Sequence, residues 1–272
     1  MVKTKGRTNQ LSSGRCWLFT GLNVLRAKMI DKYDLGEFTF SQNYVFFYDQ
    51  LEKANLFLQG VIDTRERGFD DRTVDWLFSN PISDGGQFTG VSNLVMKYGV
   101  VPADVMPETL TSNSTSQLRT HLSTFLRKSG LELRAAWEAT SDKDRRKLGD
   151  SRLQEMKVAM LKDVYHVLAL CLGVPPTEFE WKGKTYTPQS FYQELLGYDL
   201  EQGYVMLMND PCREYGKVYE IQYDRHLYDG QNWLYVNLPI ERIKEMAIAS
   251  IQAGKAMYFS CDVGKFLDRT KG

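Results

Sequence analysis

The sequence lacks features that would assign the chain to a broad class at once. It has no run of about 18 uninterrupted apolar residues, which a helix needs to span a bilayer. Its basic N-terminus is not followed by the apolar core of a signal peptide. It also lacks an excess of charge, because 34 Lys and Arg balance 34 Asp and Glu. This neutrality gives no support to nucleic acid as a main partner.

Cysteine is scarce and dispersed in this chain. The four cysteines, Cys16, Cys171, Cys212 and Cys261, lie far apart, and no two form a Cys-x-x-Cys pair. That spacing is neither a set of zinc ligands nor a dense disulfide framework. We therefore expect no metal site and a reducing, cytoplasmic setting.

Three zones of different character follow one another along the chain. Residues 1–110 combine a helical start with aromatic-rich and glycine-rich segments. Residues 111–200 are almost wholly helical in pattern, and residues 201–272 are rich in β-branched and aromatic strand formers. Helices first and strands later indicate an α+β fold, because parallel α/β folds alternate the two.

Local patterns predict the individual elements. Apolar side chains at helical spacing indicate a first helix: Leu18, Leu22, Leu25 and Met29. A second helix begins near Ser41, and Lys182-Gly183 indicates a short hairpin. Thr187 caps a helix that starts with Pro188, and another helix is expected at about 240–253. Strands are predicted at 204–208, 218–223, 233–237 and 256–263.

The segment before the first helix carries the candidate chemistry. Cys16 stands where a loop becomes a helix, and the helix dipole and free backbone N–H groups there favour a thiolate. Gly14 lets the backbone approach a bound substrate closely. Gln10 carries an amide that could donate to an oxyanion together with the Cys16 backbone N–H. A lone cysteine is more often a small buried hydrophobe, but these neighbours favour a nucleophile.

A family resemblance rests on this segment and on four others. Residues 9–17 read Asn-Gln-Leu-Ser-Ser-Gly-Arg-Cys-Trp, which resembles the Gln-x-x-x-x-x-Cys-Trp segment of papain-like cysteine peptidases. Further segments narrow the resemblance to the family of bleomycin hydrolase and bacterial aminopeptidase C: residues 38–47, 84–87, 97–102 and 261–265. The resemblance runs from about residue 8 to the last residue.

One departure from the papain pattern bears on the compartment. Secreted papain-like enzymes carry a disulfide between the positions that Ser13 and Ser83 occupy here. Serine at both ends of that bridge fits a relative that works in a reducing compartment. The resemblance therefore implies a cytoplasmic enzyme without disulfides.

The resemblance implies a papain-like α+β fold with a large helical insertion and an incomplete β-rich half. Residues 1–110 would form the nucleophile-bearing helical subdomain. Residues 111–200 would form the insertion, and residues 201–272 part of the β-rich subdomain.

The resemblance also implies a cysteine aminopeptidase that removes N-terminal residues from peptides through an acyl-enzyme. Cys16 is then the nucleophile, and Gln10 belongs to the oxyanion hole. Substrate contacts are assigned to Gly14, Trp17, Gly85 and Gly86. No metal or organic cofactor is needed. Members of the family form homo-hexameric rings, and some bind nucleic acid, which keeps that partner open despite the neutral charge.

The family's catalytic His and Asn are not present in this chain, so we expect it to be cut off before them and inactive by itself. Three histidines are candidates for a substitute base: His121, His166 and His226. His166 lies in a predicted helix and His121 in a polar segment, which leaves His226 in a strand-connecting loop as the first to check. The alternative function is a non-catalytic scaffold or binding protein with the same fold.

Overall fold

The computed structural model of the chain describes residues 6–197, 200, 203–222 and 224–261, without the side chains at 142 and 146–149. Its described part has nine helices: α1 (Cys16–Tyr33), α2 (Gln42–Asp63), α3 (Arg72–Ser79), α4 (Phe88–Tyr98), α5 (Leu110–Asn113), α6 (Ser116–Glu138), α7 (Asp142–Leu172), α8 (Pro188–Leu195) and α9 (Ile240–Gln252). The described strands are β1 (Phe179–Trp181), β2 (Lys184–Tyr186), β3 (Leu207–Met208), β4 (Val218–Ile221) and β5 (Trp233–Asn237).

Helix α2 is the centre of the helical core. It packs against α1, α3, α4, α6 and α7. Ser41 caps it, because the Ser41 hydroxyl accepts the backbone N–H of Tyr44 at 3.0 Å. The aromatic side chains Phe46 and Phe47 are almost fully buried. The predicted first and second helices are therefore confirmed, and the second organises the packing of the helical part.

Helices α6 and α7 pack on each other and on α2, so the long helical zone shares one core with the first zone. A tight turn at Lys182 (φ 49°) and Gly183 (φ 77°) joins β1 to β2, as the sequence predicts. Thr187 caps α8 through a reciprocal pair of hydrogen bonds with Ser190, and Pro188 is the first helical residue.

The last described part contains a small sheet with the order β3-β5-β4. β3 is parallel to β5, and β4 is antiparallel to it with Val218 opposite Val236. The predicted strand 233–237 is confirmed in full. The strands predicted at 204–208 and 218–223 are shorter, and residue 223 lies outside the described residues. The mix of helices with a small sheet confirms the α+β fold class.

The strand predicted at 256–263 was wrong for its described part. Residues 256–261 have no strand, whereas residues 262–263 lie outside the described residues, as do residues 262–265 of the last resemblance segment. A strand forms only where a neighbour completes its hydrogen-bond ladder, and no described segment pairs with 256–261. Across the described ranges, no helix combines the length and apolarity that a membrane span requires.

Candidate active site

Cys16 is the first residue of α1, and its side chain is exposed. The first intrahelical hydrogen bonds run from the N–H groups of Leu18 and Phe19 to the Arg15 carbonyl, both at 3.0 Å. The N–H groups of Cys16 and Trp17 precede them and lie at the positive end of the helix dipole. The predicted loop-to-helix setting of Cys16 is therefore present.

The residue before Cys16 is the anchor that sequence reasoning missed. Arg15 is fully buried, and its guanidinium donates to the Glu108 carboxylate at 2.8 and 3.2 Å and to the Ser112 carbonyl at 2.6 Å. It also lies over the rings of Phe19 and Phe46 at 5.0 and 5.1 Å. No local signal identifies these contacts, because Glu108 is 93 residues away in the sequence. This anchor fixes the loop from which Cys16 emerges.

Residues 10–15, which we call the nucleophile loop, are closed by their own hydrogen bonds. The Gln10 amide donates to the Ser13 carbonyl at 2.7 Å, and the Ser13 hydroxyl donates back to the Gln10 carbonyl at 2.7 Å. Arg15 Nε donates to the Ser13 hydroxyl at 3.0 Å. One of the two hydrogens on the Gln10 amide nitrogen remains for a further acceptor. The oxyanion role of Gln10 stays a prediction.

The nucleophile loop meets residues 83–86, which we call the glycine segment. The Gly14 N–H donates to Asp84 Oδ2 at 2.8 Å, and Trp17 Nε1 donates to the Asp84 carbonyl at 2.8 Å. The fold thus brings the glycine segment next to Gly14 and Cys16, which lie about 70 residues earlier in the chain. Gly85 is exposed and Gly86 half-buried. Trp17, which the resemblance assigns to substrate contact, has an exposed fraction of only 1% and packs inside.

Behind the glycine segment lies a buried group of charges around His226. Its Nδ1 is 2.5 Å from Asp49, and its ring meets the edge of Trp17 at 4.7 Å between centroids. Lys53 pairs with Asp49 at 2.9 Å and donates to the Gly85 carbonyl at 2.6 Å. A Cβ on Gly86 would lie 2.2 Å from the His226 ring, so only glycine fits there. The group supports the glycine segment from inside.

The protonation of this group follows from its burial. Burial lowers the pKa of His226, and the Lys53 charge lowers it further. Burial by itself raises the pKa of Asp49, but the charges and hydrogen bonds of Lys53 and His226 hold it below its usual range. A charged carboxylate can only accept, so the neutral imidazole donates its Nδ1–H. Among the described residues no hydrogen bond joins His226 to Cys16.

The other histidines and one tyrosine complete the surroundings. His121 and His166 are exposed on α6 and α7. Tyr258 was missed by the sequence reasoning. Burial and the nearby charge of Cys16 raise the pKa of Tyr258 to about 12, and its ring lies 5.6 Å from that of Phe88. Tyr258 therefore lies near the nucleophile.

A cavity of about 520 Å³ adjoins the glycine segment. Gly85 and Gly86 form part of its wall, together with Arg119 and Arg127 of α6 and apolar side chains such as Leu56. This is a candidate space for part of a substrate. Within the described ranges, no group of three or more His, Cys, Asp or Glu side chains could hold a metal ion.

Comparison with known proteins places this geometry in a family. A sequence model of the Peptidase C1-like family matches residues 1–272. The chain belongs to the peptidase C1-like family. Aminopeptidase C of Lactobacillus delbrueckii subsp. lactis is 35% identical over 283 residues, which cover 100% of this chain and 61% of the relative. Bleomycin hydrolase of Homo sapiens is 36% identical over 281 residues, which cover 97% of this chain and 60% of the relative.

A solved structure supports the same family at the level of the fold. The crystal structure of PepW from Lactobacillus rhamnosis HN001 matches with a TM-score of 0.83 and 34% identity, over 93% of this chain and 58% of that one. The predicted papain-like α+β fold and the resemblance to bleomycin hydrolase and aminopeptidase C are confirmed. The chain spans about 60% of the length of these peptidase relatives.

Proposed function

We propose that this chain carries the nucleophile of a cysteine aminopeptidase that removes N-terminal residues from peptides. The observation that carries the proposal is the exposed Cys16 at the first residue of α1, beside the glycine segment, in a chain of this family. Relatives named aminopeptidase C and bleomycin hydrolase support the choice of substrate.

The Cys16 thiolate attacks the carbonyl carbon of the first peptide bond and forms an acyl-enzyme as the new amine leaves. The Cys16 N–H, which precedes the first intrahelical bond, and the remaining hydrogen of the Gln10 amide stabilise the oxyanion. Gly85 and Gly86 line the side of the cleft that receives the substrate's N-terminal part, and Gly14 permits close approach. Water then hydrolyses the thioester. These steps require no metal or organic cofactor.

The general acid/base is proposed to come from outside this chain. The leaving amine needs a proton, and a histidine held by an asparagine supplies it in papain-like enzymes. His226 is paired with Asp49 behind Trp17, and His121 and His166 are exposed on helices. In the described part of the chain, none of these imidazoles forms a hydrogen bond with Cys16.

Assembly and location follow the same proposal. We infer a cytoplasmic homo-oligomer, hexameric as in the family, and the serines at positions 13 and 83 fit a reducing compartment. Size-exclusion chromatography with light scattering measures the molar mass of the assembly. If an active form of the protein is a monomer, the hexameric assembly is wrong, but the proposed reaction is unaffected.

The activity test compares the 272-residue chain with a form extended to the end of its reading frame, on an aminoacyl fluorogenic substrate. We expect the short chain to stay below a tenth of the rate of the extended form, because general acid/base transfer typically contributes about 10²–10⁴-fold. A rate above a tenth would mean that a residue of this chain, His226 first, supplies the base.

The matched controls are two cysteine variants of the extended form. Cys16→Ala is expected to abolish turnover, whereas Cys171→Ala, on the half-buried face of α7, keeps it. An extended form with no activity, or activity that survives Cys16→Ala, rejects the proposed function in favour of a non-catalytic scaffold or a different nucleophile.

A further inference from the structure

The residue next to the two glycines of the glycine segment touches the chain on both sides of Cys16. The Asp84 carboxylate accepts the N–H of Gly14, two residues before the cysteine, at 2.8 Å. The Asp84 carbonyl accepts the indole N–H of Trp17, the residue after it, at 2.8 Å. Both contacts cross about 70 residues of sequence. Asp84 therefore holds the backbone before Cys16 and the side chain of the residue after it.

The Asp84 side chain is itself held firmly. It is only 8% exposed, and the buried Thr115 hydroxyl at the start of α6 donates to the same Oδ2 atom at 2.6 Å. Arg119 lies 3.6 Å from the other oxygen but is half exposed, so it adds little. Burial raises the pKa of Asp84, yet the hydrogen bonds from Thr115 and Gly14 outweigh it and leave the carboxyl below its usual range. The carboxylate is thus a fixed acceptor.

The fit between Asp84 and the nucleophile loop leaves no free space. A Cβ on residue 14 would lie 2.6 Å from Asp84 Oδ1. Only glycine allows the backbone N–H to reach the carboxylate at this distance. The contact therefore fixes the backbone position of Gly14 itself, and with it the peptide planes that lead to Cys16.

We propose that the Asp84 side chain is a positioning residue that fixes the nucleophile loop, and with it the N–H of Cys16, against the glycine segment. Its catalytic part rests on the proposed function, because the Cys16 N–H matters there as an oxyanion donor. The indole bond of Trp17 goes to the Asp84 backbone, so a change of the side chain leaves that bond in place and removes the Gly14 and Thr115 hydrogen bonds together with the half-exposed Arg119 ion pair.

The first test needs no peptidase activity. In the 272-residue chain, Asp84→Ala is expected to raise the hydrogen-exchange rate of the Gly14 amide about tenfold or more, because a hydrogen bond to a charged acceptor is lost. Asp84→Asn, whose amide oxygen can still accept, gives a smaller rise. The control is Asp71→Ala, which also removes a carboxylate that accepts backbone N–H groups, those of Thr73 and Val74. It leaves Gly14 exchange unchanged.

The second test uses the extended form. Asp84→Ala is expected to lower kcat about 10²-fold with KM within about threefold, since misplacement of an oxyanion donor acts in the transition state. Asp84→Asn recovers at least tenfold of the loss, and Asp71→Ala keeps kcat. A rise of KM alone, or an equal loss in the Asp71 control, overturns the positioning role.

The two tests distinguish a failure of the proposed function from a failure of the positioning role of Asp84. If no form has activity, the proposed function fails, and Gly14 exchange still decides whether Asp84 positions the loop. Unchanged exchange in Asp84→Ala overturns the inference whatever the activity. If Asp84→Ala does not fold, Thr115→Val removes the second donor and is expected to raise Gly14 exchange about threefold; unchanged exchange there is equally decisive.

Discussion

Exposure does not single out Cys16 among the thiols, because Cys212 and Cys261 are exposed as well and only Cys171 is half-buried. The difference lies in the local field. Cys16 begins the 18-residue helix α1 and therefore lies at the positive end of the helix dipole. Cys212 lies in a turn where Asp210, a carboxylate, accepts its N–H at 3.0 Å. Position on an element, and not access, therefore sets the reactivity that we expect.

Limiting iodoacetamide should modify Cys16 first, because this exposed thiol lies at the N-terminus of a long helix, whose partial positive charge assists a nucleophilic sulfur. Peptide mass spectrometry measures the order of labelling, and Cys171 should be slow. In a Cys16→Ser variant the early labelling should disappear while the other sites keep their rates. Earlier labelling of Cys212 or Cys261 in the parent chain would contradict this account of Cys16.

His226 gives the chain a pH dependence of a defined sign. Its pKa is lowered from the usual 6.5 by burial and by Lys53, so the folded chain keeps it neutral where the unfolded chain takes up a proton. The stability that depends on neutral His226 is present above pH 6.5 and is lost as the pH falls below it. Asp49, with its pKa held low, adds stability that is lost only at far lower pH.

Urea unfolding at pH 7.5 and 5.5 measures this contribution. We expect the free energy of unfolding to fall between these values, with at most about 1.4 kcal/mol from His226, since one pH unit lies below 6.5. His226→Gln should remove this contribution to the change of the unfolding free energy with pH. The exposed His121→Gln is the control and should keep it. Equal slopes in all three proteins would show that His226 is not held neutral.

At the scale of elements, the contact between α1 and α4 holds Cys16 and the glycine segment next to each other. Helix α1 starts at Cys16, and α4 starts at Phe88, just after the glycine segment. The two helices pack tightly at Gly21, where a Cβ would lie 2.6 Å from Val91 Cγ2. Val91 is fully buried. A side chain at Gly21 would therefore push apart the elements that carry the nucleophile and the glycines.

Gly21→Ala should lower the free energy of unfolding by about 1–3 kcal/mol through overpacking, although alanine is the better helix former by about 1 kcal/mol. The double variant Gly21→Ala/Val91→Ala should be more stable than the sum of the single changes predicts, because the second change makes room. Gly36→Ala, with nothing within 4 Å of its Cβ, should stay within about 0.5 kcal/mol. Additive effects at positions 21 and 91 in denaturant unfolding would argue against this contact.

For the whole molecule, the helical part shares one core, whereas the last elements are much less covered. The hydrophobic core extends from α1 through α2 and α4 to α7 and α8. Helix α9 has no buried residue, and Ile248 and Ile251 on it are exposed. The zone boundaries at 110 and 200 stay predictions.

The chain should contain no disulfide. Its four cysteines are dispersed, and serines stand at positions 13 and 83. Titration of thiols in denaturant should therefore give four per chain both with and without reductant. A count of two without reductant and four with it would show a bridge and would argue against a reducing compartment.

The sequence by itself determined what depends on near neighbours. The start of α1 at Cys16, the Ser41 cap and the turn at Lys182-Gly183 all follow from residues within a few positions of one another. Helix caps, turns and apolar periodicity act over such short distances. The local sequence motifs likewise suffice to identify the family.

Only the tertiary structure decided which distant groups meet. Arg15 meets Glu108, Gly14 meets Asp84 and His226 meets Asp49 across 93, 70 and 177 residues. Spacing in the sequence carries no information about such pairs, because they form only when helices pack and bury the charges together. For the same reason the strand predicted at 256–263 was wrong in its described part: β-propensity lies in the residues, but a strand needs a partner that the fold must bring to it.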